Sequence, residues 1–338
     1  MIEPSSSPNT VVHLLKKLWP AIRILLSALL LARAVSQIDW ANLEVALPQL
    51  NAYWLLLAMA LSVMGNMIAG LRWGYLMKIG GFHRKMRHFI MLYFTGSLIN
   101  QGLPSTIGGD SYRALVVIRD HQTFDRSKDF SLNQAPPRFR KSFFIVGLDR
   151  TLGLAGNCLL GAIGLILGGA VINNWASELG ALLTIGMLIG ALGIALGLRL
   201  HFTQKYYRVF MHKLGLDEIL SVSNAAWGFP NIFIQLPVAI LIHILALATF
   251  WACLKACGIS APLDALMIGM PALGLILMLP ISISGWGLRE ATLSGMLALW
   301  GLNPSLVVLS SILYGVITLI TYLPGFPLLL KRRTHIRS

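Results

Sequence analysis

Pro280-Ile-Ser-Ile-Ser-Gly285-Trp-Gly287-Leu-Arg289-Glu290 interrupts a long apolar stretch with helix breakers and charges. Pro104-Ser-Thr-Ile-Gly108-Gly109-Asp110-Ser-Tyr-Arg113, 176 residues earlier, does the same. In both, the proline is followed at equal offsets by Ser or Thr, Ile, Gly and Arg. Each half of the chain is therefore expected to carry one copy of a broken helical hairpin. In membrane transporters, paired interruptions of this kind mark the binding site.

The rest of the composition supports a membrane setting. With 56% hydrophobic and 12% charged residues and a mean hydropathy of +0.72, the chain is too apolar for a soluble globule of this length. Its apolar segments are continuous, not alternating, which favours helices over barrel strands. Spans are read at residues 21–36, 52–71, 143–171, 180–198, 231–254 and 306–330. The net charge of +14 is concentrated in alternate loops. Segments 1–20, 72–88, 119–141, 199–230 and 331–338 hold 21 Lys and Arg, whereas 37–51, 172–179 and 255–262 hold one, Lys255. This is a positive-inside pattern, not a nucleic-acid surface, and it places both termini in the cytoplasm of a multi-pass inner-membrane protein.

That topology decides what the two interrupted segments are. Residues 88–118 lie between two basic loops and must enter and leave on the cytoplasmic side; residues 263–302 enter and leave on the other. Each arm of about 15 residues spans roughly 22 Å as helix, short of a hydrocarbon core of about 30 Å. The expectation is an all-α polytopic membrane protein with about six full spans and two oppositely oriented re-entrant hairpins, a possible inverted repeat. Pro104, Gly108 and Gly109 form one tip, and Pro280, Gly285 and Gly287 the other. Irregular backbone at that depth requires burial in protein or a water-filled cavity, so a midplane cavity is implied. The organisation is a cytoplasmic tail 1–20, one transmembrane domain 21–330 with a cytoplasmic connector 119–141, and a basic tail 331–338. Lys16-Lys17 and Ala32-Arg33-Ala34 resemble a signal peptide, but Arg23 interrupts the apolar run, which favours a retained helix. Segment 202–220 reads as an amphipathic inner-leaflet helix or as a plain connector. Gly164 and Gly168, Gly186 and Gly190, and Gly193 and Gly197 read as close helix contacts.

Charged residues inside spans cost roughly 2.5–3.5 kcal/mol each on insertion scales and are by default functional candidates. The set is Asp110, Arg113, Asp149, Arg150, Arg289 and Glu290, read as a substrate-binding group whose members could also be structural ion pairs. Asp110 additionally fits a helix N-cap. Half-helices starting at Asp110 or Gly285 would aim free N–H groups at an anion such as a phosphate, with Arg113 and Arg289 about one turn on. Asn100 and Gln101 suit satisfaction of broken backbone. Asn66, Asn157 and His243 suit interhelical hydrogen bonds. Cys158, Cys253 and Cys257 read as core; neither a metal site nor a cofactor is expected. A phosphate-binding Gly-x4-Gly-Lys-Ser/Thr loop is absent from the sequence, and Gly285-Trp-Gly287 lacks the third glycine of a dinucleotide fingerprint.

Arg72-Trp73, Leu103-Pro104 through Gly109-Asp110 to Arg113, Asp149-Arg150-x-x-Gly153-Leu154, and Pro280 through Gly285-x-Gly287-x-Arg289-Glu290 with Gly301 carry a resemblance. With them the chain resembles the flippase-like membrane proteins related to the transmembrane region of lysylphosphatidylglycerol synthase, from about residue 15 to 330. It departs from their pattern in its long connector between Arg113 and Arg150. The resemblance implies an all-helical fold that moves an amphipathic lipid between leaflets. The chain ends eight residues after its last span, so no amino-acid-transferring synthase domain is expected. The leading expectation is a lipid translocase for a phospholipid or lipid-linked substrate, with no catalytic residue. The alternatives are a membrane-embedded lipid or glycolipid transferase using Asp110 or Glu290 as base, and a non-catalytic partner of a lipid-biosynthesis enzyme.

Overall fold

Asn51 and Asn303 each stand just before a long apolar run, and each does what a short polar side chain does there. Asn51 Oδ1 accepts the Tyr53 N–H at 3.0 Å and Asn303 Oδ1 that of Ser305 at 2.9 Å, the latter with Pro304 as first helical residue. The computed structural model describes residues 21–22, 24–33, 35–36, 47–102, 107–119, 137–168, 217–278, 282 and 284–334, with single positions between 186 and 212. Its helices are α1 (Ile24–Arg33), α2 (Ala52–Ile79), α3 (Met86–Gly102), α4 (Ile107–Arg119), α5 (Pro137–Leu167), α6 (Asp217–Trp227), α7 (Ile232–Ala256), α8 (Leu263–Ile276), α9 (Leu288–Ala298), α10 (Pro304–Tyr322) and α11 (Phe326–Thr334). No strand occurs among the described residues.

Four stretches are long and apolar enough to cross a membrane: Ala52–Ile79, Arg140–Leu167, Ile232–Ala256 and Pro304–Leu330. They coincide with four of the six expected spans. In the first expected span, 21–36, the described residues 21–22, 24–33 and 35–36 are all helical. The span at 180–198, the segment 202–216, most of the connector and the tip prolines Pro104 and Pro280 lie outside the described residues.

Residues 88–118 and 263–302 form helical hairpins, α3–α4 and α8–α9, broken where the proline-glycine motifs sit. The second helix of each hairpin starts elsewhere than the sequence suggested. α4 begins at Ile107, so Asp110 lies inside its first turn and is not the N-cap. α9 begins at Leu288 with Gly287 as N-cap, because Ser284, Gly285 and Gly287 hold φ of 51°, 80° and 80° and keep the chain out of the right-handed helix until then.

In an apolar solvent, helices associate through close packing and small residues, not through exclusion of water. A Cβ on Gly156 would lie 2.7 Å from the Ala239 carbonyl carbon, which brings α5 against α7. A Cβ on Gly164 would lie 2.7 Å from the Met267 carbonyl oxygen. That carbonyl is the one Pro271 leaves without its usual intrahelical donor, four residues on in α8. Of the other expected glycine contacts, Gly190 closes on the Cys158 thiol, whereas Gly193 faces open space. Among the apolar clusters of the described residues, two surround the hairpins. One joins Trp73, Phe89, Ile145 and Leu152 around the first hairpin; the other joins Phe250, Leu254, Leu266 and Leu293 around the second. Cys158 and Cys253 are buried and all three thiols are free, as expected of core residues.

Candidate functional site

Gly109 is the residue that lets the first hairpin close. A Cβ there would fall on the Gly96 carbonyl oxygen, so α3 and α4 touch backbone to backbone; Asn100 Oδ1 then accepts the Gly109 N–H at 2.7 Å. This register carries Asp110 and Arg113 to α5, where Asp149 and Arg150 wait. Arg150 donates from Nε and Nη2 to the two oxygens of Asp110, both at 2.8 Å, in a planar two-point pair. Arg113 Nη2 lies 3.2 Å from Asp110 Oδ1 and 3.4 Å from Asp149 Oδ2, bridging both acids.

A fifth member comes from α2. Arg72 Nε donates to Asp149 Oδ1 at 3.0 Å and Arg72 Nη2 to the Asp149 carbonyl at 3.1 Å. Counted by sequence with the basic loop 72–88, Arg72 is in fact buried inside the helix. The loop keeps its remaining four cations, so the charge asymmetry survives this correction. The signal for Arg72 was available in the Arg72-Trp73 pair, but proximity to a basic loop hid it.

The resulting chain Arg72–Asp149–Arg113–Asp110–Arg150 has three guanidiniums and two carboxylates, a surplus of one positive charge. Arg113 is 2% exposed and Asp149 3%, with the Arg113 guanidinium 4.8 Å from the Trp73 ring and 5.0 Å from that of Tyr93. Arg72 Nη1, Trp73 Nε1 and Arg113 Nε are buried donors with no acceptor. At the outer end the Arg150 side chain is 52% exposed, against 16% for Asp110. The cluster is thus rich in donors, electropositive and accessible at one end.

Arg289 and Glu290 are built differently. Glu290 is fully buried and both its oxygens are occupied: Oε2 by the Gly287 N–H at 2.6 Å, and Oε1 by Arg289 Nη2 at 2.6 Å, Arg289 Nε at 3.0 Å and the Ser311 hydroxyl at 3.2 Å. It caps its own helix and neutralises its neighbour. The Arg289 guanidinium lies 4.7 Å from the Trp286 ring and 5.7 Å from that of Tyr314, and a Cβ on Gly315 would fall on its Nη2. Trp286, Ser311, Tyr314 and Gly315 were not singled out in the sequence; they are ordinary apolar-helix residues until the fold aligns them.

The tips meet. Ser284 Oγ donates to the Asn100 carbonyl at 2.6 Å, so Asn100 ties both tips together, as suits its expected role in satisfying broken backbone. Gly287 abuts α1, where a Cβ would lie 2.6 Å from the Leu31 nitrogen. Among the other polar candidates, His243 Nε2 pairs with the Gly153 carbonyl at 2.8 Å and Asn157 donates to the Pro271 carbonyl at 2.9 Å, both between helices. Asn66 instead donates to Ser62 O, within α2. The described residues contain no group of three or more His, Cys, Asp or Glu placed to hold a metal.

A family model described as "Lysylphosphatidylglycerol synthase TM region" matches residues 21–325, which include both hairpins and every charge in the two clusters. The chain belongs to this family. Comparison with curated proteins and with solved structures finds no match. The lysylphosphatidylglycerol synthase TM region match, with four helices able to cross a membrane, makes this an integral multi-pass membrane protein. The match stops at residue 325, in the turn before α11, and is to the transmembrane region alone.

Proposed function

We propose that this protein is an inner-membrane lipid translocase that passes a phospholipid or lipid-linked headgroup between leaflets, along the seam where the two hairpins meet. The observation that carries the reading is the surplus positive charge of the Arg72–Asp149–Arg113–Asp110–Arg150 chain, with unpartnered buried donors and an exposed guanidinium at its end. An uncompensated cation within a membrane domain is costly, and a phosphate oxygen is the partner that planar guanidinium forks accept best. On this reading a headgroup phosphate takes Arg150 from Asp110 while Arg113 supplies a second donor and the acyl chains stay in lipid.

The helix lengths support re-entrant hairpins. At 17, 13, 14 and 11 residues, α3, α4, α8 and α9 run about 26, 20, 21 and 17 Å, all short of a core of about 30 Å. Two such hairpins from opposite faces, touching at their tips, fit an inverted-repeat transporter whose alternating access parts one tip from the other. With no phosphate-binding loop in the sequence, movement is downhill or coupled to an ion, and it requires states open to opposite leaflets.

The test is a leaflet-accessibility assay on purified protein in liposomes carrying fluorescent phospholipids. Protein-dependent exchange that falls in Arg150→Gln and Arg113→Ala is the expected result. Absence of exchange with every headgroup offered, from folded wild type, overturns the translocase reading; full exchange in both variants overturns the site.

A further inference from the structure

Phospholipid headgroups share a phosphate and differ in net charge, and the charge chain of the first hairpin can tell them apart. Among the described side chains there are four acids, Asp110, Asp149, Asp264 and Glu290, and each is already engaged. Both oxygens of Asp110 take Arg150 at 2.8 Å, and Oδ1 also takes Arg113 at 3.2 Å. Asp149 Oδ1 accepts from Arg72 at 3.0 Å, and its Oδ2 faces Arg113 at 3.4 Å. Glu290 is closed in by Arg289, Ser311 and the Gly287 N–H. Asp264, at the start of α8, accepts the Trp300 indole N–H at 3.2 Å. The polar atoms left unmet in the chain, Arg72 Nη1 and Arg113 Nε, are donors, as is Trp73 Nε1 beside them. The rings of Trp73 and Tyr93, which could otherwise receive a cation, already carry the Arg113 guanidinium.

We infer that this chain selects lipids with an amine-free, net-anionic headgroup, such as phosphatidylglycerol, over zwitterionic and cationic ones. The inference rests on the site of the proposed translocase and adds the charge of the cargo to it. A singly anionic headgroup brings the chain to neutrality, a zwitterionic one leaves its surplus of one, and a cationic one raises it. The phosphate of phosphatidylcholine or phosphatidylethanolamine meets the same donors, but it brings a tethered ammonium to a place already too positive. That ammonium finds no open carboxylate, and a like charge brought close in a poorly screened setting is disfavoured. Displacing Arg150 from Asp110 to make room exchanges one cation for another and gains nothing. Selectivity therefore comes from what the site withholds from an amine as much as from what it offers a phosphate.

The experiment follows the thermal midpoint of the full-length protein in neutral detergent with short-chain phosphatidylglycerol, phosphatidylcholine or phosphatidylethanolamine. The protein is then reconstituted with acyl-labelled forms of the same lipids to read leaflet exchange. Phosphatidylglycerol is expected to stabilise wild type at concentrations about ten-fold or more below those of the zwitterionic lipids, the factor carried by one charge-assisted hydrogen bond. Exchange should follow the same order. Because Arg72, Arg113 and Asp149 are buried, the preference should persist in molar salt, where attraction to exposed basic loops is screened within about 3 Å. Arg150→Gln removes the surplus charge and should bring the ratio near one. Lys78→Gln removes one exposed cation outside the chain and should keep the ratio. Equal stabilisation by the three lipids, loss of the preference in salt, or its survival in Arg150→Gln overturns the inference. The wild-type comparison alone decides it if that variant does not fold. Selective stabilisation by phosphatidylglycerol with no exchange of any lipid overturns the translocase reading and upholds the selectivity, whereas exchange and stabilisation that are equal for all three do the reverse.

Discussion

The two hairpins begin from one sequence pattern and finish with opposite electrostatics. In the second, Arg289 is paired with the residue next to it, Glu290 is 0% exposed, and the helix N-cap, a serine and two aromatic rings close the remaining directions. In the first, Arg113 shares Asp110 with Arg150 and Asp149 with Arg72, and the chain of five keeps one positive charge in surplus. Arg289 is followed by Glu290, whereas Arg113 is followed by Ala114 and draws on Asp110 of its own helix and Asp149 of α5, both shared with other arginines. A neutral, sealed pair is suited to holding a turn in place; an electropositive, open chain is suited to an anion. On the proposed reading the second hairpin does structural work and the first does the binding.

The largest expected effect comes from breaking the sealed pair. Glu290→Ala strands the Arg289 charge and uncaps α9, a loss of about 3–5 kcal/mol as for other buried pairs with one partner removed. Folded monomer on size exclusion and the thermal midpoint in detergent should both fall sharply. Replacing both, as Arg289→Met with Glu290→Met, should recover most of that loss, since a buried pair exchanged for apolar residues is often neutral. Failure of the double variant to recover would assign the second hairpin a role beyond holding its turn. Gly109→Ala comes next: its Cβ meets backbone, the Gly96 carbonyl, which cannot rotate away, so α3 and α4 must separate at a cost of about 2–3 kcal/mol. Gly315→Ala meets the end of a long side chain instead and should cost about 1–2 kcal/mol. Equal losses in these two variants would remove the distinction between a backbone seam and a side-chain seat.

Arg150→Gln should hardly alter stability, by less than about 1 kcal/mol, because an exposed ion pair contributes little. Its effect belongs in lipid exchange, which should slow about ten-fold or more if a charge-assisted hydrogen bond to phosphate is lost. A variant as destabilised as Glu290→Ala, or one with unchanged exchange, would erase the contrast between the hairpins.

Much of this was legible in the sequence because membrane physics leaves few solutions. Continuous apolar runs gave the four long helices, and the paired Pro-Gly-Arg motifs gave both interruptions. Asp110, Arg113, Asp149 and Arg150 were recognisable as charges that a span carries only for a reason. Pairing was not legible, because it depends on register between helices. That Arg150 meets Asp110, and not Asp149 beside it, follows from the Gly96–Gly109 contact. Arg72 was assigned to a loop because periodicity cannot tell the last buried turn of a helix from the basic stretch after it. The start of α9 was placed at Gly285 because glycine marks a turn without saying how many positive-φ residues the turn needs.

The smallest effect tests whether the meeting of the two hairpins is a seam or a gate. Ser284 holds φ at 51°, a left-handed backbone that costs a residue with a Cβ roughly 1–2 kcal/mol, and donates to the Asn100 carbonyl across the tips. Ser284→Ala keeps the strained backbone and removes the bond, so stability should drop by about 0.5–1.5 kcal/mol. Ser284→Gly removes the bond but relieves the backbone, so the two terms should nearly cancel. The pair of variants therefore separates stability from contact: both lack the hydrogen bond, but only one is weakened. If the tips part during each transport cycle, both variants should speed lipid exchange by a similar factor despite their different stabilities. If exchange instead follows stability, with Ser284→Gly behaving as wild type, the tips are a fixed seam and the moving part lies elsewhere in the bundle.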